Sequence, residues 1–116
     1  MRTILLAAAF AALSLSAANA DDLLATRYGN TVVVKMTSGM EVHMYYAADG
    51  TFTGKVMGMN YPLKGTWKSD GSNVCLTYDP APPNMTNPSC TPVVAHQVGD
   101  SWTANGNTAT LVQGIQ

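Results

Sequence analysis

The chain has 116 residues, with six Lys and Arg against seven Asp and Glu, so its formal net charge is −1. A chain of this length is expected to form one domain. Its balance of charges excludes the basic surface needed to bind nucleic acid or an anionic membrane, so neither is an expected partner.

The first twenty residues have the three parts of a secretory signal. Arg2 supplies a positive charge, residues 4–15 form an apolar run, and residues 18–20 read Ala-Asn-Ala before two aspartates. The run of about twelve residues is shorter than the roughly twenty of a membrane-spanning helix. We predict a signal peptide over residues 1–20 and a single antiparallel β domain over residues 21–116, with no membrane span after cleavage.

The sequence after residue 30 is typical of an all-β protein. Short runs rich in Val, Thr and aromatic residues are separated by Gly, Asp and Asn about every ten residues. Before the first run, Asp22 is placed to begin a short helical turn. Counting the later runs at 93–98, 101–104 and 108–113, we predict a small antiparallel β barrel or barrel-like sandwich of about eight short strands.

The lengths of the first two turns follow from keeping apolar side chains on one face of the sheet. A three-residue loop ending in glycine places Val34 opposite Val42. A second loop of the same length places Tyr46 opposite Phe52. Near the end of the chain a turn is predicted at Asn105-Gly106, and the register of residues 93–113 is left open.

For the third hairpin the sequence predicts a two-residue turn at Asp70-Gly71. This turn would place Trp67 opposite Val74 and Leu63 opposite Tyr78, so that large apolar side chains share the inner face.

Five of the six prolines lie in residues 79–92, which argues against a strand there because proline has no backbone donor. The two cysteines, Cys75 and Cys90, are expected to form a disulfide that ties this segment to the sheet, worth roughly 3 kcal/mol. The alternative, a pair of metal-binding thiols, lacks the adjacent His or Cys of a zinc site. A bridge and a signal peptide together predict a periplasmic or secreted protein.

Residues suited to catalysis are few. The part after the signal contains two histidines, His43 and His96, and one glutamate, Glu41. It shows no nucleophile motif, no glycine-rich phosphate loop and no His-x-x-x-His pair. We therefore expect a protein without enzymatic activity, and without a cofactor unless it binds copper.

A copper(I) site is the sharper alternative. The predicted registers place His43 diagonal to Met57 on the outer face, with Met59 nearby, and imidazole and thioether ligands suit copper(I). In ligand types these residues, with Trp67, resemble the small periplasmic copper carriers built on β barrels. Against this, Lys55 would lie opposite His43, and methionines commonly cover apolar surface instead. A periplasmic metal carrier using His43, Met57 and Met59 is the second function considered.

Binding to an unidentified protein or small ligand in the cell envelope is the favoured function. Tyr45 and Tyr61 are aromatic residues predicted to be exposed, and such residues are common in interfaces. Pro82, Pro83 and Met85 lie in the proline-rich loop, which the bridge would hold on a rigid scaffold. These five residues form the predicted interaction surface.

The interior of so small a barrel is expected to be packed with side chains and not to hold a ligand. The predicted inner residues are Phe52, Trp67, Tyr78, Val42 and Leu76.

Several segments of the chain carry a resemblance to known proteins. These are Tyr-Ala-Ala-Asp-Gly-Thr at 46–51, Gly-Thr-Trp at 65–67, residues 71–76 with Cys75, then Cys90, and Val-Gly-Asp at 98–100. Together they resemble small exported bacterial proteins of unknown function. The Gly-Thr-Trp and paired-cysteine part is also similar to bacterial barrel-type protease inhibitors. The resemblance implies a β-barrel fold, and the second likeness makes inhibition of secreted proteases a third function to consider.

Overall fold

A computed structural model describes residues 22–116, so the predicted signal peptide lies outside the described residues. A short 3-10 helix comes first, followed by eight strands. The helix is Asp22–Arg27, and the strands are β1 Thr31–Lys35, β2 Glu41–Tyr46, β3 Thr51–Val56, β4 Tyr61–Ser69, β5 Asn73–Tyr78, β6 Ser89–Pro92, β7 Ser101–Ala104 and β8 Asn107–Val112.

All eight strands belong to one antiparallel sheet, in the order β6-β5-β4-β3-β2-β1-β8-β7. The first six strands form a continuous meander, and the β7–β8 hairpin adds to the free side of β1. The sheet curls into a nearly closed barrel, which confirms the predicted fold class. Among residues 22–116, no helix has the length and apolar character needed to cross a membrane.

The turns predicted from alternation at the first two hairpins are confirmed, and a turn lies at Asn105-Gly106 as predicted. Val34 pairs with Val42, and Tyr46 pairs with Phe52. The last hairpin turns at Asn105-Gly106, where both residues have positive φ, at 52° and 80°. At each of these turns, glycine or asparagine supplies the left-handed conformation that the tight connection requires.

The register predicted for the third hairpin is wrong by two residues. Trp67 lies opposite Leu76, not Val74, because the turn falls one position later than expected. The carboxylate of Asp70 accepts the N–H groups of Ser72 and Asn73, at 2.8 and 2.7 Å, so Asp70 stands before the turn instead of inside it. The same shift places Gly65 and not Leu63 opposite Tyr78.

A shift of two residues keeps every side chain on its predicted face, because side chains alternate with period two. Trp67 therefore remains buried although its partner differs. Its indole N–H donates to the carbonyl oxygen of Ala47 at 2.8 Å, and its ring contacts those of Tyr46 and Tyr28. These contacts, together with the fully buried Leu24 of the 3-10 helix, fill one end of the barrel.

The prediction that the proline-rich segment contains no strand is wrong at its end. Strand β6 pairs with β5, and Cys75 lies directly opposite Cys90. A strand is possible here because β6 is at the edge of the sheet and Pro92 is its last residue, so few ladder donors are lost. The predicted disulfide is confirmed, with the two Cα atoms 4.0 Å apart.

Residues 93–98, predicted as a strand, are irregular. Val93 is buried, and its N–H still donates to the carbonyl oxygen of Ser72 at 2.9 Å. Beyond it, the N–H of Asp100 donates to the carbonyl oxygen of Gln97, and the carboxylate of Asp100 accepts the N–H of Gln97, each at 2.9 Å. This turn ends the extended chain before a second ladder can form, so β6 takes the place of the predicted strand.

Candidate functional site

A cleft of about 400 Å³ opens into the barrel between the two edge strands, β6 and β7. Its volume lies within the range of small-ligand sites, about 300–1,000 Å³. Inward-facing side chains of β1, β2 and β8 line the barrel side of it. These include Val32, Val34, Met36, Val42, Met44 and Ala109.

Two inward positions of the β7–β8 hairpin, Ala104 and Ala109, carry small side chains, and this leaves room for the cleft. Ala109 lies between Val34 on β1 and Trp102 on β7 in the paired strands. Ala104 is the next inward residue of β7 after Trp102, and it also lines the cleft. With one carbon each, the two alanines cannot fill the space that Val34 and Met36 face, and both of these residues are only half-buried.

The expectation of a packed interior is therefore right at one end of the barrel and wrong at the other. Phe52, Trp67 and Val42 are buried, as predicted. Leu76 and Tyr78 are half-buried and line the cleft.

The loop that follows β5 forms the opposite wall of the cleft. Pro83 and Met85, both predicted as interaction residues, lie in this wall. The side chain of Asn87 holds the loop, since its amide oxygen accepts the N–H of Tyr78 at 2.9 Å and its amide nitrogen donates to the Tyr78 carbonyl oxygen at 3.1 Å. The disulfide at Cys90 anchors the chain three residues further on.

Arg27 is the last residue of the 3-10 helix and reaches the cleft from the filled end of the barrel. Its side chain is 5% exposed, and its guanidinium carbon lies 5.0 Å from the centre of the Tyr46 ring and 5.3 Å from that of Trp102. The helix end is held by Asn30, whose side chain donates to the Thr26 carbonyl oxygen at 2.7 Å. The backbone N–H of Asn30 also donates to the carbonyl oxygen of Arg27 at 3.1 Å.

The electrostatic environment of this cluster is set by burial and by one cation. Burial raises the pKa of Tyr46, and the positive charge of Arg27 opposes that shift. His96 stacks on Trp102 with ring centres 3.6 Å apart. Burial lowers the pKa of His96, and Arg27 lowers it further. The rings of Tyr46 and Trp102 therefore flank the positive charge of Arg27 at the inner end of the cleft.

The residues of the predicted copper site lie elsewhere. His43 is opposite Lys55 as expected, but it is only 6% exposed, and Gln116 lies against its ring. Its Nε2 lies 2.7 Å from a carboxylate oxygen of Glu41, and its Nδ1 lies 3.3 Å from the carbonyl oxygen of Gln116. A metal ion at His43 would have to displace one of these two partners.

Met57 and Met59 lie in the turn after β3 and are exposed, at 41% and 58%. Within the described part of the chain, no group of three or more His, Cys, Asp or Glu side chains is placed to hold a metal ion. The copper site stays a prediction, because both ring nitrogens of His43 already have partners.

The predicted interaction surface is divided. Tyr45 donates its hydroxyl to the carbonyl oxygen of Gln116 at 2.6 Å, on the outer face of the sheet. Tyr61 is exposed at the first residue of β4, and Pro82 is half-buried. None of these three residues is among those lining the cleft, so the structure brings only Pro83 and Met85 to it.

Sequence reasoning did not single out Arg27 or Trp102. The single available signal was compositional, since Arg27 is the only cation between residues 21 and 34. Their contact depends on pairing between β1 and β8, which joins residues about eighty positions apart and carries no local pattern.

The chain matches no protein-family model, no curated protein and no solved structure. The resemblances to small exported proteins and to protease inhibitors therefore stay predictions.

Proposed function

We propose that this chain is an exported, non-enzymatic binding protein that holds an apolar small ligand in the cleft. The observation that carries the proposal is the set of aliphatic side chains, such as Val34 and Met36, that face an open cleft of about 400 Å³ instead of a closed core. Apolar surface left in water costs roughly 25 cal/mol per Å², and an apolar ligand would recover this free energy.

Two features support a preformed site. The sheet fixes the β1, β2 and β8 side of the cleft, and the Cys75–Cys90 disulfide lies at the base of the loop that forms the other side. A wall that is already ordered loses little conformational entropy when a ligand binds, so more of the interaction free energy appears as affinity.

The compartment is part of the proposal. A disulfide is typical of proteins outside the cytoplasm. The signal-like residues 1–20 favour export, so we place the protein in the periplasm or among secreted proteins, where an envelope or extracellular ligand would reach it.

The test is titration with the neutral, apolar fluorophore N-phenylnaphthylamine. We expect saturable binding of one molecule per chain, with a change in Trp102 emission because Trp102 lines the cleft. Ala104→Phe would fill the cleft and weaken binding by about tenfold or more. Thr103→Phe is the matched control, since Thr103 is exposed on the opposite face of the same strand.

Unchanged binding by Ala104→Phe would contradict the proposal, as would equal loss in both variants. Circular dichroism and intact disulfide content would show that each variant keeps the fold.

A further inference from the structure

Arg27 is the one charged side chain among the described residues that line the cleft. The remaining lining residues are aliphatic, aromatic or neutral polar. Among the side chains that the structure describes, those of residues 23–116, neither of the two ion pairs involves Arg27. The cleft therefore combines an apolar barrel side and several neutral polar residues with the single positive charge of Arg27.

The environment of Arg27 favours an added anion. A cation that is 5% exposed has lost most of its hydration, and the rings of Tyr46 and Trp102 offset only part of that cost. One donor of Arg27 makes a side-chain hydrogen bond to Tyr46. Contacts over ring faces leave the remaining N–H donors, which lie in the guanidinium plane, for hydrogen bonds to a ligand. A carboxylate accepts two such hydrogen bonds side by side.

The apolar part of the cleft indicates the chemistry of the rest of the ligand. Val32 and Val34 on the inner face of β1, and Met36 directly after the strand, all line the cleft. At about 3.3 Å per residue, these positions extend over about 13 Å. Met85 covers the apolar surface from the opposite wall. A flexible hydrocarbon chain fits this shape better than a compact polar molecule.

We propose that the ligand is a single-chain amphiphile with a carboxylate head group, whose head pairs with Arg27 while its hydrocarbon tail lies along the inner face of β1. This inference rests on the proposed function and specifies the chemical class of the ligand. A neutral head group would leave Arg27 without a counter-charge, and a cationic one would be repelled by it.

The test compares three compounds that share one ten-carbon tail. Decanoate, decanol and decyltrimethylammonium, each below the concentration at which it aggregates, would compete with N-phenylnaphthylamine on the wild-type protein. We expect decanoate to bind at least about tenfold more tightly than decanol, and the cationic compound to bind most weakly.

Variants of Arg27 test whether the preference for decanoate over decanol depends on its positive charge. Arg27→Met would make decanoate bind no more tightly than decanol, whereas Arg27→Lys would keep part of the preference because it retains the charge. Lys68→Met is the matched control, since Lys68 is exposed on β4 and lies outside the cleft. It should keep the full preference for decanoate.

Equal binding of decanoate and decanol by the wild-type protein would contradict the carboxylate head group, but it would not contradict the proposed binding of an apolar ligand. A preference for decanoate that survives in Arg27→Met would also overturn it. Binding of neither the fluorophore nor decanoate would overturn both this inference and the proposed function. The wild-type comparison decides the head group even if Arg27→Met does not fold.

Discussion

The rings of Phe52 and Tyr78 meet edge to face over Gly65, with their centres 5.1 Å apart. These residues are the direct partners of Gly65 on the neighbouring strands β3 and β5. A Cβ atom at Gly65 would overlap the carbonyl oxygen of Thr77 and lie 2.9 Å from the Phe52 ring. Glycine therefore permits the close backbone approach by which the sheet curls at β4, and the two rings cover the gap that it leaves.

Replacing Gly65 with Ala is expected to lower the free energy of unfolding by about 2–4 kcal/mol, because backbone atoms have to move to admit the methyl group. Denaturant unfolding measures this loss. Thr66→Ala, at the exposed next position of the same strand, should change stability by no more than about 0.5 kcal/mol. Equal effects of the two substitutions would show that the sheet does not depend on Gly65.

Alternation predicts which side chains face inward, and it does so even where the register is wrong. Trp67 is buried with either Val74 or Leu76 as its partner, because the two registers differ by two residues. The turn itself depends on the hydrogen bonds of Asp70, which alternation does not describe. Strand β6 could not be predicted from proline content, because its position at the edge of the sheet depends on the order of all eight strands.

Of the candidate site, only the wall formed by the loop after β5 could be predicted from the sequence. Pro83 and Met85 stand in a loop whose composition and bridge mark it as a surface feature. The inner end combines Arg27 with Trp102, residues brought together by the placement of β8 beside β1. A contact made by strands so far apart in the chain cannot be predicted from the local sequence around Arg27 or Trp102.

Removal of the disulfide tests whether the bridge holds the cleft wall formed by the loop after β5. The double variant Cys75→Ser/Cys90→Ser is expected to lose roughly 3 kcal/mol of stability, since the bridge closes a fifteen-residue loop. It should also bind N-phenylnaphthylamine more weakly, because the loop carrying Met85 is then held chiefly by Asn87. Addition of reductant should reproduce both effects in the wild-type protein and change nothing in the double variant. Unaltered affinity in the folded double variant would show that the bridge does not shape the cleft.

Stability is expected to fall in alkaline solution as two tyrosines ionise. Burial, with the nearby Tyr46, raises the pKa of Tyr78 to about 12, and burial also raises the pKa of Tyr46 from 10.0. The folded state therefore holds these protons more tightly than the unfolded state does. The stabilisation is complete below pH 10 and is lost as the pH rises towards 12.

Absorbance of tyrosinate measures this titration directly. The late phase of the titration, near pH 12, should lose amplitude in Tyr78→Phe. A wild-type titration with no phase near pH 12 would contradict the burial of Tyr78.

His96 provides a local probe of the charge on Arg27. Burial is the larger cause of its lowered pKa and Arg27 the smaller, whereas Asp100, 3.9 Å from its Nδ1, acts in the opposite direction. The stabilisation from neutral His96 is therefore present above pH 6.5 and is lost as the pH falls through the lowered pKa. Arg27→Met should raise the pKa only part of the way to its ordinary value, because the ring stays buried.

Nuclear magnetic resonance titration of the imidazole signals, assigned with His96→Asn, would follow this pKa. Asp100→Asn is the matched control and should lower the pKa further, since it removes the one carboxylate that favours the charged ring. Decanoate bound at Arg27 would offset the positive charge, so it should raise the pKa of His96 in the wild-type protein and have no such effect in Arg27→Met. Identical pKa values in the wild type and Arg27→Met would mean that the guanidinium does not act on His96, and its placement beside Trp102 would have to be abandoned.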